Sequence, residues 1–210
     1  MLSNSGLAER LAAVGVAALH EVLGRRGLLS GLSLLADRPF AGPVLTVELP
    51  AAENLGLHLA LEEAAAGSVM CVGSAGGGRY GVLGEILHGA GRVRGIVGFA
   101  IDDAIRDVAQ LEPPPSVAAR GVNARGTVKR RLRRPVGSAV AIGGQLVMSG
   151  DWLVCDRDGA CVFPEARLED ALRRAEARLA REQEALSQVA HGATTRAVLE
   201  LTSDPQASVS

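Results

Sequence analysis

Residues 68–101 constrain the fold of this 210-residue chain more than any other stretch. An apolar run at 68–72 leads into a glycine-rich loop at 73–81, and a short helical segment at 82–90 leads into a second apolar run at 95–101. Two apolar strands joined through a helix form a parallel pair with a crossover connection. The stretch therefore predicts an α/β fold, with the second strand ending at Asp102-Asp103.

Helical and strand patterns on either side complete the predicted architecture. Apolar residues recur at three- and four-residue steps over residues 6–24 and 165–191, and Gly24 is placed to end the first helix. A further helix is expected at 54–65 and a strand at 43–49. After Asp107, short apolar runs separated by Gly and Asp predict a β-rich region. We expect one domain over residues 1–202 and a frayed tail over 203–210.

Composition narrows the classes of function. Aromatic residues make up only 2% of the chain, so few side chains could stack on exposed bases, and a nucleic-acid partner is not expected. The formal net charge of −1 gives no global attraction to DNA or to a membrane surface, and no apolar stretch is long enough to span a bilayer. Cys71, Cys155 and Cys161 lie in apolar runs, which favours buried thiols in a reducing compartment. With no secretory pattern at the N-terminus, a cytoplasmic location is expected.

A basic window at residues 120–134 departs from the balanced charge. It contains no acid and has these cations: Arg120, Arg125, Lys129, Arg130, Arg131, Arg133 and Arg134. The favoured interpretation is a solvated loop or edge strand that its charge protects from aggregation. A patch for RNA or for an acidic partner is the alternative.

The glycine-rich loop has the composition of an anion-binding loop. Glycines allow close backbone approach, and N–H groups at the start of a helix favour negative charge. Gly76, Gly78 and Gly81 also match G-x-G-x-x-G, with Asp102 where a ribose-binding acid would lie. A dinucleotide site and a loop without ligand are therefore alternatives. We favour a small anion, because the short strands downstream do not supply the further βαβ units of a dinucleotide fold.

Two charged features could carry chemistry. Arg106 and Asp107 follow a strand at the position where open α/β sheets bind ligands. A guanidinium matches a carboxylate in a bidentate manner and a carboxylate can hold a hard cation, although a surface ion pair is the alternative. Glu182 falls on the apolar stripe of the last helix, where it lies at a domain edge or reaches a neighbouring subunit. The histidines show no metal-ligand spacing and are expected on helix surfaces.

The order of these motifs resembles the RraA-like family, which includes class II 4-hydroxy-4-methyl-2-oxoglutarate aldolases. The similarity covers about residues 10–190 and rests on segments 76–85, 95–97, 103–107, 119–121, 149–151 and 154–164. It implies an α/β/β sandwich resembling a phosphohistidine swivelling domain, with N- and C-terminal helices. It also implies a homotrimer or a dimer of trimers, with active sites between subunits.

The resemblance further implies a divalent-metal-dependent lyase that cleaves a 4-hydroxy-2-keto acid to pyruvate and, by the same logic, decarboxylates oxaloacetate. Asp107 would bind Mg²⁺ or Mn²⁺, Arg106 the keto-acid, and Glu85 would lie beside the water shell of the metal. Glu182 would come from a neighbouring subunit, also through water. The residues implied to bind substrate are Gly81, Val82, Leu83, Gly84, Glu85, Ile86, Leu87 and Arg106.

The chain departs from the family pattern at three positions. Gly73 and Gly77 stand where the family usually has aspartates, and Asp103 stands where it usually has glycine. These changes put the substrate in question. The alternative function is that of a non-catalytic regulator with a ribonuclease partner. The family's ribonuclease regulator lacks the aspartate of the Arg-Asp pair, whereas Asp107 is present here.

Overall fold

The computed structural model describes residues 3–35 and 38–201. Its helices are α1 (Asn4–Val22), α2 (Leu55–Glu63), α3 (Glu85–Val93), α4 (Leu168–Ala190) and α5 (Thr195–Val198). Its strands are β1 (Ser33–Leu34), β2 (Phe40–Leu49), β3 (Val69–Ser74), β4 (Gly81–Leu83), β5 (Gly98–Ile105), β6 (Ser116–Val122), β7 (Val140–Ile142), β8 (Gln145–Val147), β9 (Trp152–Asp156) and β10 (Gly159–Phe163). This mixed α/β architecture with helices at both ends confirms the predicted fold class.

One curled sheet organises the chain. Its strand order is β1-β6-β5-β3-β2-β9-β10, with β4 paired to β5. Strands β2, β3, β5 and β6 run parallel, whereas β9 and β10 form an antiparallel hairpin beside β2. The segment before β1 pairs with β10 through a Leu28–Cys161 bridge, and Leu29 N donates to Ala160 O at 2.8 Å. The sheet therefore nearly closes on itself.

Side chains alternate between the two faces of the parallel strands, as the period of a strand requires. In β3, Val69 and Cys71 point into a cluster shared with β9 and β10. Met70 and Val72 point the other way and pack beneath α2 and α3. Helices α1 and α4 cover the antiparallel side through a third cluster that includes Trp152. The core is thus aliphatic, as the low aromatic content indicated.

Strand β4 and the length of β5 correct two predictions. A helix was expected from residue 82 and a loop up to residue 81, but residues 81–83 pair with β5 as β4, and α3 starts only after Gly84. Strand β5 was expected to end at Asp102-Asp103, yet it continues to Ile105. The reason is that the Asp103 carboxylate is fully buried and its hydrogen bonds are satisfied inside the fold, so a charged residue does not end the strand here.

Helix α1 contains a break that its apolar periodicity does not reveal. Gly15 has φ 75° and ψ 168°, so the helix kinks there. The N–H of Val16, freed by the kink, donates to Asp156 Oδ2 at 2.7 Å. Gly24 has φ +72° and follows the helix end, as predicted.

In the described ranges no helix is both long and apolar enough to cross a membrane. The tail predicted at 203–210 lies outside the described residues.

The three thiols give a test of the core. Burial raises the pKa of Cys71, and it raises the pKa values of Cys155 and Cys161 to about 12. All three are buried and unpaired, so neither the thiolate nor access is available at neutral pH. We expect no reaction of the native protein with Ellman's reagent at pH 8, and reaction of all three thiols in denaturant. Labelling of the native protein at the rate of an exposed thiol would contradict this packing.

Candidate functional site

A small cavity lies where the carboxyl ends of the parallel strands meet. Its volume is about 170 Å³. Nine residues line it: Asn54, His58, Gly84, Glu85, Ile86, Leu87, Arg106, Asp107 and Lys129. They come from the start of α2, the start of α3, the end of β5 and the loop after β6. The cavity thus brings together Arg106, Asp107 and Glu85, the three residues to which the family resemblance assigns the chemistry.

Unpaired polar atoms distinguish this cavity from larger ones. Asn54 Oδ1, His58 Nε2 and Arg106 Nε are buried atoms without a hydrogen-bond partner in the described part of the chain. Buried polar groups are nearly always paired, so three such atoms around one cavity make it suited to bind a polar ligand or water. A cavity of about 520 Å³ beside the start of α1 has a mainly apolar lining that includes Phe40 and Val97. Polar residues such as Glu9 and Arg38 also line it, but none of the buried polar atoms without a partner in the described residues belongs to its lining.

Trp152 Nε1 and two carboxylate oxygens are buried atoms without a hydrogen bond away from this cavity, and the two carboxylates have ion-pair partners. Glu48 Oε2 and Asp102 Oδ1 lack a well-directed hydrogen bond, yet they lie 3.4 Å and 2.6 Å from arginine Nε atoms. Both carboxylates are therefore satisfied as ion pairs, because charge attraction depends less on angle than a hydrogen bond does. By contrast, Arg106 Nε is 3.6 Å from Asp107 Oδ2, which is too long for a hydrogen bond.

Asp107 is held in an uncommon backbone conformation. Its φ of 57° and ψ of 34° place it in the left-handed region, directly after β5 and before a 3-10 turn. Such conformations cost energy in residues other than glycine and cluster at ligand sites. Asp107 Oδ2 accepts from Glu85 N at 3.3 Å. The Asp107 side chain is 44% exposed, so its carboxylate faces the cavity rather than the core.

Gly84 allows the Arg-Asp pair to lie against the start of α3. A Cβ at this position would come within 2.5 Å of Asp107 Oδ2 and 3.0 Å of Arg106 Nε. Any side chain would therefore displace the pair. Arg106 is also fixed through its backbone, because its N–H donates to Leu83 O at 2.9 Å.

The first turn of α3 forms the wall of the cavity. Gly84, Glu85, Ile86 and Leu87 line it. N–H groups in the first turn of a helix have no intrahelical acceptor and favour an anion. Of the implied substrate-binding residues, Gly81, Val82 and Leu83 lie behind this wall, as strand β4.

Helix α2 contributes two side chains that the sequence interpretation missed. Asn54 Nδ2 donates to Val82 O at 3.0 Å, which orients the amide and leaves Oδ1 toward the cavity. His58 lies one helical turn further along, and burial together with nearby Lys129 lowers its pKa, so the ring is neutral at neutral pH. The i, i+4 spacing of Asn54 and His58 was the signal that could have found them.

The expectation that the histidines lie on helix surfaces is wrong for His88. His88 is 3% exposed and its Nε2 lies 2.7 Å from Pro115 O. Burial lowers the pKa of His88, although the bond to the Pro115 carbonyl opposes that shift. His88 therefore fastens α3 to the proline turn and does not face the cavity.

The donor set suits a hard divalent cation held weakly. Asp107 and Glu85 offer carboxylate oxygens, which Mg²⁺ and Mn²⁺ prefer. The described residues contain no group of three His, Cys, Asp or Glu side chains arranged to hold a metal. Water and substrate would therefore have to complete the coordination shell, which is the usual arrangement for Mg²⁺.

The glycine-rich loop binds a carboxylate from its own chain. Asp103 Oδ1 accepts from Gly78 N at 2.9 Å and Tyr80 N at 3.1 Å, and its Oδ2 accepts from Ser74 Oγ at 2.6 Å. A Cβ at Gly76 would overlap Asp103 Oδ2. The external anion expected in this loop therefore finds these two amides occupied, which corrects that prediction.

The dinucleotide alternative loses its acidic residue as well. Asp102 Oδ1 is paired with Arg120 Nε at 2.6 Å and is not free to bind a ribose.

Gly73 and Gly77, the two glycines expected to depart from the family pattern, have different surroundings. A Cβ at Gly73 would be 3.0 Å from Val140 Cβ, whereas Gly77 faces open space with φ +63°.

Glu182 does not reach the cavity of its own chain. It lies on α4, is 46% exposed on its side chain, and its Oε1 is 2.8 Å from Arg178 Nε. It lines a separate groove together with His20 and Asp156. Any role for Glu182 at this type of site would have to be in another subunit.

Most of the basic window is neutralised within the chain. Arg131 lies 3.8 Å from Glu53, and both Arg133 and Arg134 lie within 3.4 Å of Glu48. Arg125 lies 4.8 Å from the centre of the Tyr80 ring. Lys129 differs, because it lines the cavity. The basic window therefore contributes one cation, Lys129, to the cavity. Its internal ion pairs make its positive electrostatic field weaker for an external partner than its composition indicated.

Comparisons with known proteins place this geometry in a family. The family model described as RraA-like (Aldolase/RraA) matches residues 12–162. A protein of Halalkalibacterium halodurans named "Putative 4-hydroxy-4-methyl-2-oxoglutarate aldolase" is 30% identical over 135 residues, which is 64% of this chain and 64% of that protein. A protein of the same name from Alkalilimnicola ehrlichii is 34% identical over 125 residues, or 59% of this chain and 76% of that protein. The chain thus matches somewhat less than two thirds of the first relative's length.

Solved structures agree at the level of the fold. An uncharacterized protein from Pseudomonas syringae superposes with a TM-score of 0.83 at 22% identity, covering 95% of both chains. A Streptomyces coelicolor protein, described as an unusual member of the RNase ES inhibitor RraA protein family, gives a TM-score of 0.78 at 28% identity and covers 89% of this chain and 100% of its own. With the family model spanning most of the sequence, this chain belongs to the RraA-like family.

Proposed function

We propose that this chain is a divalent-metal-dependent lyase that cleaves a 4-hydroxy-2-keto acid, of the 4-hydroxy-4-methyl-2-oxoglutarate type, to pyruvate. The observation that carries the proposal is the cavity in which Arg106, Asp107 and Glu85 face the first turn of α3. The aldolase names of the relatives supply the substrate class. Oxaloacetate decarboxylation follows the same electronic course, with carbon dioxide as the departing fragment.

The residues of the cavity can bind a 2-keto acid from two sides. The carboxylate of the keto-acid is bound by the N–H groups of Ile86 and Leu87 at the start of α3, since Glu85 N already donates to Asp107 Oδ2. Arg106 offers a guanidinium whose Nε has no hydrogen-bond partner, and it binds the keto-acid end of the substrate. Asn54 Oδ1, also unpaired, is a further hydrogen-bond acceptor on the same cavity.

Asp107, with Glu85 through water, would hold Mg²⁺ or Mn²⁺. When bound, the cation supplies Lewis-acid polarisation of the 2-keto oxygen.

Cleavage breaks the C3–C4 bond of the substrate. The 4-hydroxyl proton leaves to water positioned by Glu85, the C4–O bond becomes a carbonyl, and the bonding electrons move to the 2-keto oxygen to give the enolate of pyruvate. Arg106 stabilises the negative charge that develops there. Protonation at C3 then gives pyruvate, so that 4-hydroxy-4-methyl-2-oxoglutarate yields two pyruvate molecules and no oxidant is required.

A regulatory function without catalysis is the second candidate. The Streptomyces coelicolor relative, whose description places it in an RNase inhibitor family, supports this alternative. The internal pairing of the basic window with Glu48 and Glu53 counts against an acidic partner on that surface. Because the Arg-Asp pair is intact and faces a cavity, we favour the lyase.

The first prediction tests the lyase and its metal site together. Wild-type protein with added Mg²⁺ should release pyruvate from a panel of 4-hydroxy-2-keto acids and oxaloacetate, measured by coupling to lactate dehydrogenase. Asp107→Asn should nearly abolish the metal-dependent turnover, because it removes the charge that binds the cation. Folding should survive, since asparagine tolerates the left-handed conformation of this position. Wild-type activity with unchanged metal dependence in Asp107→Asn would remove Asp107 from the site.

A second prediction concerns the shape of the Arg106 side chain. Arg106→Lys keeps the charge but loses the planar fork that binds a carboxylate or keto oxygen in a bidentate manner. We expect a loss of about 1.5–3 kcal/mol in transition-state binding, the effect of one charge-assisted hydrogen bond. Catalytic efficiency should therefore fall about tenfold to a hundredfold. Arg79→Lys is a matched control outside the cavity, and an equal loss in that variant would indicate a general charge effect.

The third prediction concerns assembly. Ile86 lines the cavity and is 83% exposed, and Val93 on the same helix is 87% exposed, so α3 presents apolar surface beside the site. We propose that a neighbouring subunit covers this face and brings its Glu182 to the cavity, in a homotrimer or a dimer of trimers. Light scattering should give a mass of three or six chains, and Glu182→Gln should lower turnover without changing that mass. A monomer at all concentrations would exclude this role of Glu182.

A further inference from the structure

The Arg106 side chain lies in a channel lined by three glycines. A Cβ at Gly81 would come 3.0 Å from Arg106 Cβ, and a Cβ at Gly84 would come 3.0 Å from Arg106 Nε. A Cβ at Gly126 would lie 3.2 Å from Arg106 Nη1. Gly81 and Gly84 belong to β4 and to the start of α3, whereas Gly126 lies in the loop between β6 and β7. This loop therefore forms one wall of the channel, at the Nη1 end of the guanidinium group.

Residues 123–126 of this loop, here called the clamp, are attached to the strands beneath them. Asn123 N donates to Ile105 O at 2.9 Å, and Gly81 N donates to Arg125 O at 2.8 Å. These hydrogen bonds join the clamp to β5 and to β4. The position of the clamp is therefore fixed by the same two strands that hold the backbone of the Arg-Asp pair.

A contact between side chains reinforces these hydrogen bonds. The guanidinium group of Arg125 lies 4.8 Å from the centre of the Tyr80 ring, within the range of a cation–π contact. Tyr80 packs against the cluster beneath α2 and α3, and its N–H donates to the buried carboxylate of Asp103 at 3.1 Å. Because Tyr80 is fixed on two sides, it holds Arg125 and the adjacent Gly126 in place beside Arg106.

Arg106 depends on such a wall because the chain gives its side chain few directed contacts. Arg106 Nε is a buried atom without a hydrogen-bond partner in the described part of the chain, and it lies 3.6 Å from Asp107 Oδ2. A long side chain with an unpaired donor would otherwise sample several rotamers, and ordering it when the ligand binds would cost entropy. A wall that restricts the guanidinium group before binding reduces this cost.

We propose that the clamp positions the Arg106 guanidinium group for the keto-acid, with Gly126 as the point of contact. Tyr80 and Arg125 support the clamp. None of these three residues lines the cavity, so they are positioning residues that act through Arg106. The proposal rests on the proposed function for the identity of the ligand, and it assigns a role to residues outside the cavity.

The first test adds one methyl group to the clamp. The φ of Gly126 lies outside the left-handed region, so alanine is compatible with the backbone there. Apart from its chain neighbours, the atom that this methyl group would meet in the described residues is Arg106 Nη1, which must move by a few tenths of an ångström. Gly126→Ala should therefore lower kcat/KM for keto-acid cleavage about tenfold, because the reaction depends on the placement of Arg106.

Gly89→Ala is the matched control. It makes the same chemical change at a glycine whose φ also lies outside the left-handed region, and a Cβ there would meet no residue beyond its own helix in the described ranges. Both variants should keep a Tm close to that of the wild type, and Gly89→Ala should keep its kcat/KM. Equal kcat/KM for Gly126→Ala and Gly89→Ala would overturn the clamp.

A second pair of variants tests the support from the Tyr80 ring. Tyr80→Phe keeps the aromatic ring beneath Arg125 and should retain kcat/KM. Tyr80→Leu removes the ring and should lower kcat/KM about twofold to fivefold, the equivalent of one exposed cation–π contact. Equal activity of the two variants would contradict the role of this contact.

A double variant separates positioning from a general structural effect. Arg106→Lys lacks the Nη1 atom that the added methyl group displaces. Adding Gly126→Ala to Arg106→Lys should therefore cause no further loss of kcat/KM. Losses that multiply in the double variant would overturn the proposal, because the effect of Gly126→Ala would not pass through Arg106.

Binding of pyruvate in the presence of Mg²⁺, measured by calorimetry, separates the clamp from the lyase. Gly126→Ala should weaken pyruvate binding about threefold or more in the wild-type background and leave it unchanged in Arg106→Lys. If the wild-type protein cleaves no keto-acid but shows this pattern, the clamp is supported and the proposed reaction fails. If it cleaves keto-acids and Gly126→Ala matches Gly89→Ala in both assays, the lyase is supported and the clamp is wrong. Absence of pyruvate binding to the wild-type protein would also overturn the clamp.

Discussion

The buried carboxylate of Asp103 connects the parts of the chain that form the cavity. It lies in the middle of β5 with no exposed surface, and it accepts hydrogen bonds from Ser74, Gly78 and Tyr80 on the glycine-rich loop. A buried charge without such donors would cost several kcal/mol. The loop must therefore wrap around Asp103. Residues that follow the loop then enter β4 beside β5, with their register fixed by this contact.

From that contact the site is built by backbone geometry. Two carbonyls of β4 accept hydrogen bonds from its neighbours: Leu83 O from Arg106 N, and Val82 O from Asn54 Nδ2. Strand β4 therefore fixes both the end of β5 and the start of α2. Gly84 then lets α3 begin directly against Asp107. The shape of the cavity therefore depends on β4 more than on any single side chain, because the end of β5 and the start of α2 are both attached to this short strand.

The same arrangement distributes the charges of this region. Gly73 and Gly77 carry no side chain, while Asp103 supplies a carboxylate from the neighbouring strand. Asp103 requires glycine at position 76, where a Cβ would overlap its carboxylate. The negative charge of this region is thus kept inside the fold. The cavity itself retains two acids, Asp107 and Glu85, and two cations, Arg106 and Lys129.

The sequence by itself determined the fold class, the terminal helices and the parallel crossover, because these depend on local periodicity and on glycine positions. Ordered motifs also predicted Arg106, Asp107 and Glu85 as candidate site residues, because they are close in sequence to the strand end and helix start that carry them. Only the tertiary structure decided that the Asp103 carboxylate is bound by the glycine-rich loop. A charged residue inside a strand is predicted to be exposed, because its hydrogen-bond donors on residues 74–80 are distant in the sequence. It likewise decided that Asn54, His58 and Lys129 share the cavity. Asn54 and His58 belong to the start of α2, whereas Lys129 lies in a loop about seventy positions later. The two segments meet through a bridge between Glu53 and Val128, and no local sequence pattern predicts a bridge between such distant residues.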